Sequence, residues 1–211
     1  MGSSDVASET EYVFNSSESS HTHAYLWDPI LKACARLGAK SVFDLGCGNG
    51  SFCKRLGQQG FSVAGCDISE SGVAQARQAL PDVDLRVLGV DDDPAVVGRS
   101  DFDVVTSLEV VEHLFAPRSL PRFASALLKP GGHLIVSTPY HGFFKNLVLA
   151  LTNKWDSHHD PLWNGGHIKF WSRPTLTKLL ETEGFQVTEF IGAGRFPFMW
   201  KSMIIVAKKI R

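Results

Sequence analysis

DLGCGNG, Asp44–Gly50, is the stretch of this 211-residue chain from which its fold can be read. The apolar run SVFDL (Ser41–Leu45) leads into it, and a helical pattern over Gly50–Gln59 leaves it. Glycine has no Cβ, so the backbone turns tightly there and a ligand can press against it. The glycines are Gly46, Gly48 and Gly50. That spacing is G-x-G-x-G, not the G-x-G-x-x-G of dinucleotide sites, which argues against a nicotinamide enzyme. The next strand, FSVAGCD (Phe61–Asp67), ends on a carboxylate 21 positions beyond Gly46. A carboxylate so placed can accept hydrogen bonds from both hydroxyls of a ribose.

Outward from this unit the chain keeps alternating. A helix over Glu70–Leu80 stops at Pro81, and Asp84–Leu88 is a short third strand. FDVVTSL (Phe102–Leu108) is a fourth strand, and Leu120–Leu128 a helix ended by a turn at Pro130–Gly132. HLIVSTP (His133–Pro139) is a fifth strand, followed much later by a helix over Arg173–Glu183 with Gly184 as its stop. Strands alternating with helices predict βαβ units, a mostly parallel sheet and right-handed crossovers. FQVTEF and SMIIVAKK close the chain with no room for a helix between Phe190 and Ser202, so they are predicted to be antiparallel neighbours.

Composition sets outer limits. Apolar residues make up 44% and charged residues 20%, with a formal net charge of −1, which suits one globular α/β domain and gives no general basic surface for nucleic acid. Cys34, Cys47, Cys53 and Cys66 show neither a C-x-x-C pair nor zinc spacing and read as reduced thiols of a cytoplasmic protein. No apolar run has the length of a membrane span. Residues 1–20, rich in Ser and Glu with no basic start, are expected to be a mobile segment rather than a signal peptide, with the domain over 21–211.

DLGCGNG, GCDIS (Gly65–Ser69), FDVVTSLEVVEHL (Phe102–Leu114) and LLKPGGHLIVSTP (Leu127–Pro139) together resemble the ordered motifs of class I S-adenosylmethionine (SAM)-dependent methyltransferases. The resemblance covers Ser41 to the end. It implies a Rossmann-like seven-strand sheet of order 3-2-1-4-5-7-6, strand 7 antiparallel, with helices on both faces. It also implies that Asp44, Gly46, Cys47 and Gly48 hold the methionine part of SAM, Asp67 the ribose, Ile68 the adenine, and Leu108 the surroundings of the sulfonium. Many relatives carry an acidic residue after the glycine that closes strand 3. Here that position is Val90, with Asp91 following as the adenine contact. HTHAYLWDPI (His21–Ile30) either folds Tyr25 and Trp27 over the cofactor or forms a helix packed on the sheet edge.

EVVEH places Glu109, Glu112 and His113 just after the fourth strand. Were a helix to begin there, positions i, i+3 and i+4 would share one face. Two carboxylates and an imidazole suit Mg²⁺, Mn²⁺ or Zn²⁺. The E-x-x-E-H pattern resembles two branches of the superfamily. In the ubiquinone-biosynthesis O-methyltransferases (the methyltransferase type 11/23 group) it is followed by K-P-G-G, S-T and a later H-x-x-x-F element, matched here by Lys129–Gly132, Ser137–Thr138 and GGHIKFWSRPTL. In the small-RNA 2′-O-methyltransferases the two Glu, the His and a distant second His bind a metal, and His167 is the candidate for the latter. A metal would lower the pKa of an acceptor hydroxyl; alternatively His113 acts alone as general base, or the cluster is structural; His113 and Glu109 are the catalytic candidates.

Tyr140–Trp171 is an irregular stretch on the ligand side of the sheet, expected to cover the substrate site. Within it, the apolar Gly142–Trp155 reads as the packed core of a small cap, with a substrate channel or peripheral membrane contact as the rival reading. His158 and His159 read as either surface groups or neighbours of a ligand shell, and the sequence assigns them no role. The expected activity is SAM-dependent O-methylation of a small lipophilic or phenolic molecule. An RNA 2′-O-methyltransferase using a metal at the Glu-Glu-His cluster, or a non-catalytic SAM-binding subunit or sensor, are the alternatives. The acceptor and the oligomeric state are not written in the motifs.

Overall fold

The computed structural model describes residues 24–159, 162 and 165–211. The segment 1–20 therefore lies outside the described residues, as do His21, His23 and Trp163. In chain order the elements are α1 (Ala24–Arg36), β1 (Ser41–Leu45), α2 (Ser51–Gln58), β2 (Ser62–Asp67), α3 (Glu70–Ala79) and β3 (Asp84–Val87). There follow β4 (Phe102–Leu108), α4 (Ser119–Leu127), β5 (Leu128–Pro139), α5 (Phe143–Leu151), α6 (Trp155–His159), α7 (Arg173–Thr182), β6 (Phe185–Ala193) and β7 (Ser202–Lys209). Seven strands form one sheet in the order β3-β2-β1-β4-β5-β7-β6. The first five are mutually parallel, and β7 runs antiparallel to both β5 and β6. The expected fold class is the observed one.

Side chains alternate across the central strands, so consecutive residues feed opposite cores. Phe43, Val105, Leu134 and Val136 pack with Leu120, Phe123 and Leu127 of α4 and Leu176 and Leu180 of α7. Val42, Val104, Ile135 and Ile204 pack on the other face with Leu26, Ile30 and Cys34 of α1 and Phe52 and Leu56 of α2. Of the segment His21–Ile30, the described part from Ala24 onward is thus helix packed on the sheet face. Strand β5 is longer than expected because the turn at Pro130–Gly132 is absorbed as an irregularity. Phe102 pairs with Leu128 and Val104 with His133, and Gly131 takes φ +75° inside it. All four cysteines are buried thiols. Among the described residues no helix is long and apolar enough to cross a membrane.

One expectation fails in an informative way. Gly142–Trp155 is not the core of a cap. In α5, Phe143 (75% exposed), Phe144, Leu147, Val148 and Leu151 (77%) face outward, while Lys145 is only 3% exposed. Mean hydropathy along a helix cannot reveal such an inversion, because tertiary neighbours choose the face that is covered.

Candidate active site at the carboxyl ends of the strands

The glycine turn is built to bring backbone to the surface. Gly46, Gly48 and Gly50 have φ of 89°, 52° and 77°, a region that side chains other than glycine's adopt at a cost. A Cβ on Gly46 would stand 2.4 Å from Val110 Cγ2. Gly46 N and Cys47 N both donate to Cys66 O, at 2.8 and 2.9 Å, which ties the turn to the end of β2. Asp67 closes that end. Its Oδ2 accepts from Gly48 N at 2.7 Å and its Oδ1 from Ser69 N at 2.8 Å. Each oxygen keeps a second lone pair, so the carboxylate can still accept from a ribose.

The other cofactor candidates divide by exposure. Ile68 is 79% exposed beside this turn. Val90 is half-buried and leans on the core, whereas Asp91 is exposed. Leu108 is half-buried at the end of β4. Cys47 turns its side chain into the core with Cys53, Val73 and Leu85, so only its backbone belongs to the turn. Asp44, 2% exposed, lies beneath it, accepting from Thr106 Oγ1 at 2.7 Å and Cys53 Sγ at 3.6 Å. Its carboxyl is thus engaged by side chains of β4 and α2 below the turn. Trp27 packs on Phe52 with ring centroids 6.0 Å apart. Tyr25 instead reaches the strand ends, where its hydroxyl meets Ser202 Oγ at 2.9 Å.

Beyond β4 the chain does not continue as an α-helix. Glu109 takes φ +55°, a rare conformation for a non-glycine residue, and Val111–His113 form one 3-10 turn. The single helical face expected for Glu109, Glu112 and His113 is therefore absent, and Glu109 parts from the other two. Its Oε1 accepts from Ser137 Oγ at 2.7 Å and its Oε2 from Ser202 Oγ at 3.2 Å. Burial raises the Glu109 carboxyl to about 7, although both serines and the charge of Lys145 pull it down.

Glu112 and His113 meet His167 instead. A ligand atom of each lies within 4.8 Å of the others, and Glu112 Oε1 is 4.0 Å from His167 Nε2. The insert is tied to this place by its backbone. Ile168 N and Lys169 N both donate to Glu112 O at 3.0 Å, and Trp171 Nε1 donates to Val111 O at 3.3 Å. His113 Nδ1 lies 2.7 Å from Gly165 O, so that nitrogen carries the proton and Nε2 the lone pair. Glu112 is 1% exposed, and neither of its carboxylate oxygens makes a hydrogen bond of ordinary geometry among the described residues, although the neighbouring Thr138 hydroxyl pulls its carboxyl down. Burial and the neighbouring charge of Glu109 hold its carboxyl well above the usual range. Burial and the imidazoles of His113, His159 and His158 lower His167 to about 4.

Sequence reasoning missed Ser202, which carries no motif, and Lys145, whose isolation in an apolar run was the available signal. His158 and His159, to which the sequence assigned no role, stand beside His141, with His158 exposed.

A profile described as a methyltransferase domain matches residues 19–189. The chain belongs to the methyltransferase domain family. It is 33% identical over 172 residues to the ubiquinone biosynthesis O-methyltransferase of Bradyrhizobium diazoefficiens, covering 77% of this chain and 64% of that one. The chain thus spans less than two thirds of that relative's length. The protein of the same name from Thiobacillus denitrificans is 29% identical over 162 residues, covering 75% and 69%. Among solved structures, magnesium protoporphyrin IX methyltransferase from Synechocystis PCC 6803 superposes with a TM-score of 0.64 at 22% identity, covering 87% and 82%. A SAM-dependent methyltransferase from Clostridium acetobutylicum gives 0.68 at 12% identity, covering 88% and 91%. These structures share the fold.

The buried carboxyls give the family member a pH signature. Asp44 and Glu109 are held up to about 7 by burial, whereas both ionise near pH 4 in an unfolded chain. Between those values the folded state holds these protons and the unfolded state does not, so the two carboxyls contribute less stability as pH rises. His141, His158 and His167, lowered to about 4 in the folded state, contribute in the opposite direction over the same range. Asp44→Asn, which keeps an acceptor for Thr106, isolates the carboxyl contribution: its thermal midpoint relative to the native protein is expected to rise from pH 5 to pH 7.5. A difference that stays constant or falls over this interval would contradict the assignment.

Proposed function

We propose that this chain transfers the methyl group of SAM to a hydroxyl oxygen of a small lipophilic or phenolic acceptor, and that Glu112, His113 and His167 hold a divalent cation beside the reacting centre. The buried carboxylate of Glu112 between two imidazoles is the observation that carries this reading. Such a group is costly unless it is protonated or faces a cation. The donor set of one carboxylate and two imidazoles suits Mn²⁺ or Zn²⁺ and admits Mg²⁺.

SAM brings an electrophilic methyl on a sulfonium. Gly46 and Gly48 would receive its methionine end against bare backbone, Asp67 its ribose hydroxyls, and Ile68 its adenine ring. A cation at the triad would supply Lewis acidity toward the acceptor hydroxyl. The protein's own part is positional and protic. Lys145 and the two serines orient Glu109, whose ionised carboxylate accepts the hydroxyl proton as the new O–C bond forms and the C–S bond breaks. His113, with its Nδ1–H given to Gly165 O, serves as a ligand rather than as the base. The stretch 140–171 closes over the acceptor and excludes water.

The direct test supplies labelled SAM with phenols bearing and lacking a prenyl tail, and with small RNA, and measures S-adenosylhomocysteine. Release with a tailed phenol is expected. SAM binding without turnover on any acceptor would favour the non-catalytic subunit, and turnover on RNA alone the RNA enzyme. For the cofactor, Asp67→Ala should weaken SAM by about 1–3 kcal/mol, roughly 5- to 150-fold by calorimetry, since a charged acceptor is lost. Unchanged affinity would remove Asp67 from the ribose.

The outward face of α5 further supports contact with a lipid surface. Phe143, Phe144 and Leu151 are exposed together with Phe198, whose ring lies 6.0 Å from that of Phe144. Lys154, just after α5, and Arg195 and Lys201, on either side of Phe198 in sequence, are exposed and favour anionic headgroups. Sedimentation with phosphatidylglycerol vesicles should retain the protein. Phe143→Ser with Leu151→Ser should cut the bound fraction at least fivefold with an unchanged far-ultraviolet circular dichroism spectrum. Equal retention of both proteins would exclude this surface.

A further inference from the structure

We propose that His141, His158 and His159 form a second metal site, separate from the Glu112 triad, which takes a zinc-type divalent cation and pins the α5–α6 insert to the end of β5. One ligand atom from each of the three histidines lies within 4.8 Å of the others. They come from two different bodies of the fold. His141 follows β5 directly and is 7% exposed, whereas His158 and His159 end α6. The rings of His141 and His159 stack at 5.4 Å with 22° between planes, and Phe170 closes one side at 5.2 and 4.5 Å from them.

Orphaned polar atoms point to a ligand. Both ring nitrogens of His159 are buried and have no hydrogen-bond partner among the described residues. A neutral imidazole always carries one donor and one lone pair, so both are left unpaired at a cost. His141 Nδ1 lies 3.4 Å from Asn146 Oδ1, which sets Nδ1 as the protonated nitrogen and Nε2 as the ligand. Burial and the charge of Lys145 hold His141 and His158 near 4, so these rings are neutral at physiological pH and offer lone pairs rather than charge. That state suits a cation and gives an anion no countercharge. Three imidazoles without a carboxylate favour zinc over magnesium or calcium. Lys145 opposes a cation here, but its ammonium is directed to Lys201 O at 3.3 Å and toward Glu109. Tetrahedral zinc needs ligand nitrogens about 3.3 Å apart, a closure within reach of side-chain rotation at the exposed His158.

The test separates this site from the Glu112 triad. Tag-free protein carrying Glu112→Gln and His167→Gln is stripped with chelator and titrated with Co²⁺, whose visible ligand-field bands report nitrogen coordination. One equivalent is expected, displaced by Zn²⁺. Zinc should also slow tryptic cleavage after Lys154 at least threefold. Adding His158→Ala and His159→Ala should weaken Co²⁺ at least tenfold and abolish the protection, with an unchanged far-ultraviolet circular dichroism spectrum. His158→Ala alone, at an exposed position, serves as the milder variant. No Co²⁺ band in the triad-disabled protein, or a band that survives loss of both histidines, overturns the proposal. If wild-type protein binds one equivalent that vanishes only with His158 and His159, this site stands and the Glu112 triad fails.

Discussion

Glu112→Gln is expected to lower methyl transfer by about 100-fold or more, and chelation of the wild-type protein to reproduce the loss. The variant keeps the size of a side chain that is 1% exposed, so the fold should survive. What it removes is the anionic ligand of a set whose members lie within 4.8 Å of one another. Lewis-acid assistance to a poor nucleophile amounts to several kcal/mol, and each 1.4 kcal/mol is roughly tenfold in rate. Restoring Mg²⁺, Mn²⁺ or Zn²⁺ should revive the chelated wild-type enzyme and leave the variant low. SAM affinity should change little, because the glycine turn and Asp67 are untouched. Activity indifferent to chelator together with a silent Glu112→Gln would reject the metal and leave proton removal to the protein alone.

Glu109→Gln is expected to cost about 100- to 10,000-fold in kcat, the range for loss of a positioned general base. The wild-type rate should rise with pH through about 7, because the carboxylate accepts a proton only once it has ionised, and its carboxyl is held there by burial. The charged groups around it are Lys145, which favours ionisation of Glu109, and Glu112, whose own ionisation is disfavoured by the charge of Glu109. The variant should lose the ascending limb altogether. Glutamine can accept from one of Ser137 and Ser202 and donate its amide to the hydroxyl oxygen of the other, so a stability change should be small. A Glu109→Gln enzyme that keeps the limb and a rate within threefold of wild type would transfer the role of base to His113.

Much of this molecule was legible in its residues, and what was legible was local. Gly46 with its positive φ, Asp67 at a strand end and the alternation along Phe102–Leu108 each depend on a few neighbouring residues. The parallel first strands and the antiparallel last pair followed from the same source, since a helix must lie between parallel strands and none fits before Ser202, whereas the strand order was implied by the resemblance to the SAM-dependent methyltransferases. Boundaries slipped where two local tendencies competed, as at Pro130–Gly132, where a turn-forming sequence was drawn into β5 by pairing with β4.

The sequence by itself therefore determined the βαβ frame, the antiparallel last strand, the glycine turn and the closeness of Glu109, Glu112 and His113 along the chain, to which only the family resemblance added His167. Tertiary structure alone decided which groups meet. Glu109 left the helical face because the chain bends at φ +55°, and it found Ser137 and Ser202, 28 and 93 positions away. Lys145 turned inward and the phenylalanines of α5 outward, against the hydropathy of the segment. His141, His158 and His159 gathered across an insert whose sequence gave no ligand spacing. Periodicity and turn chemistry are written in consecutive residues. Side-chain partners across a sheet end depend on how distant segments are stacked, and that depends on the burial of the whole core.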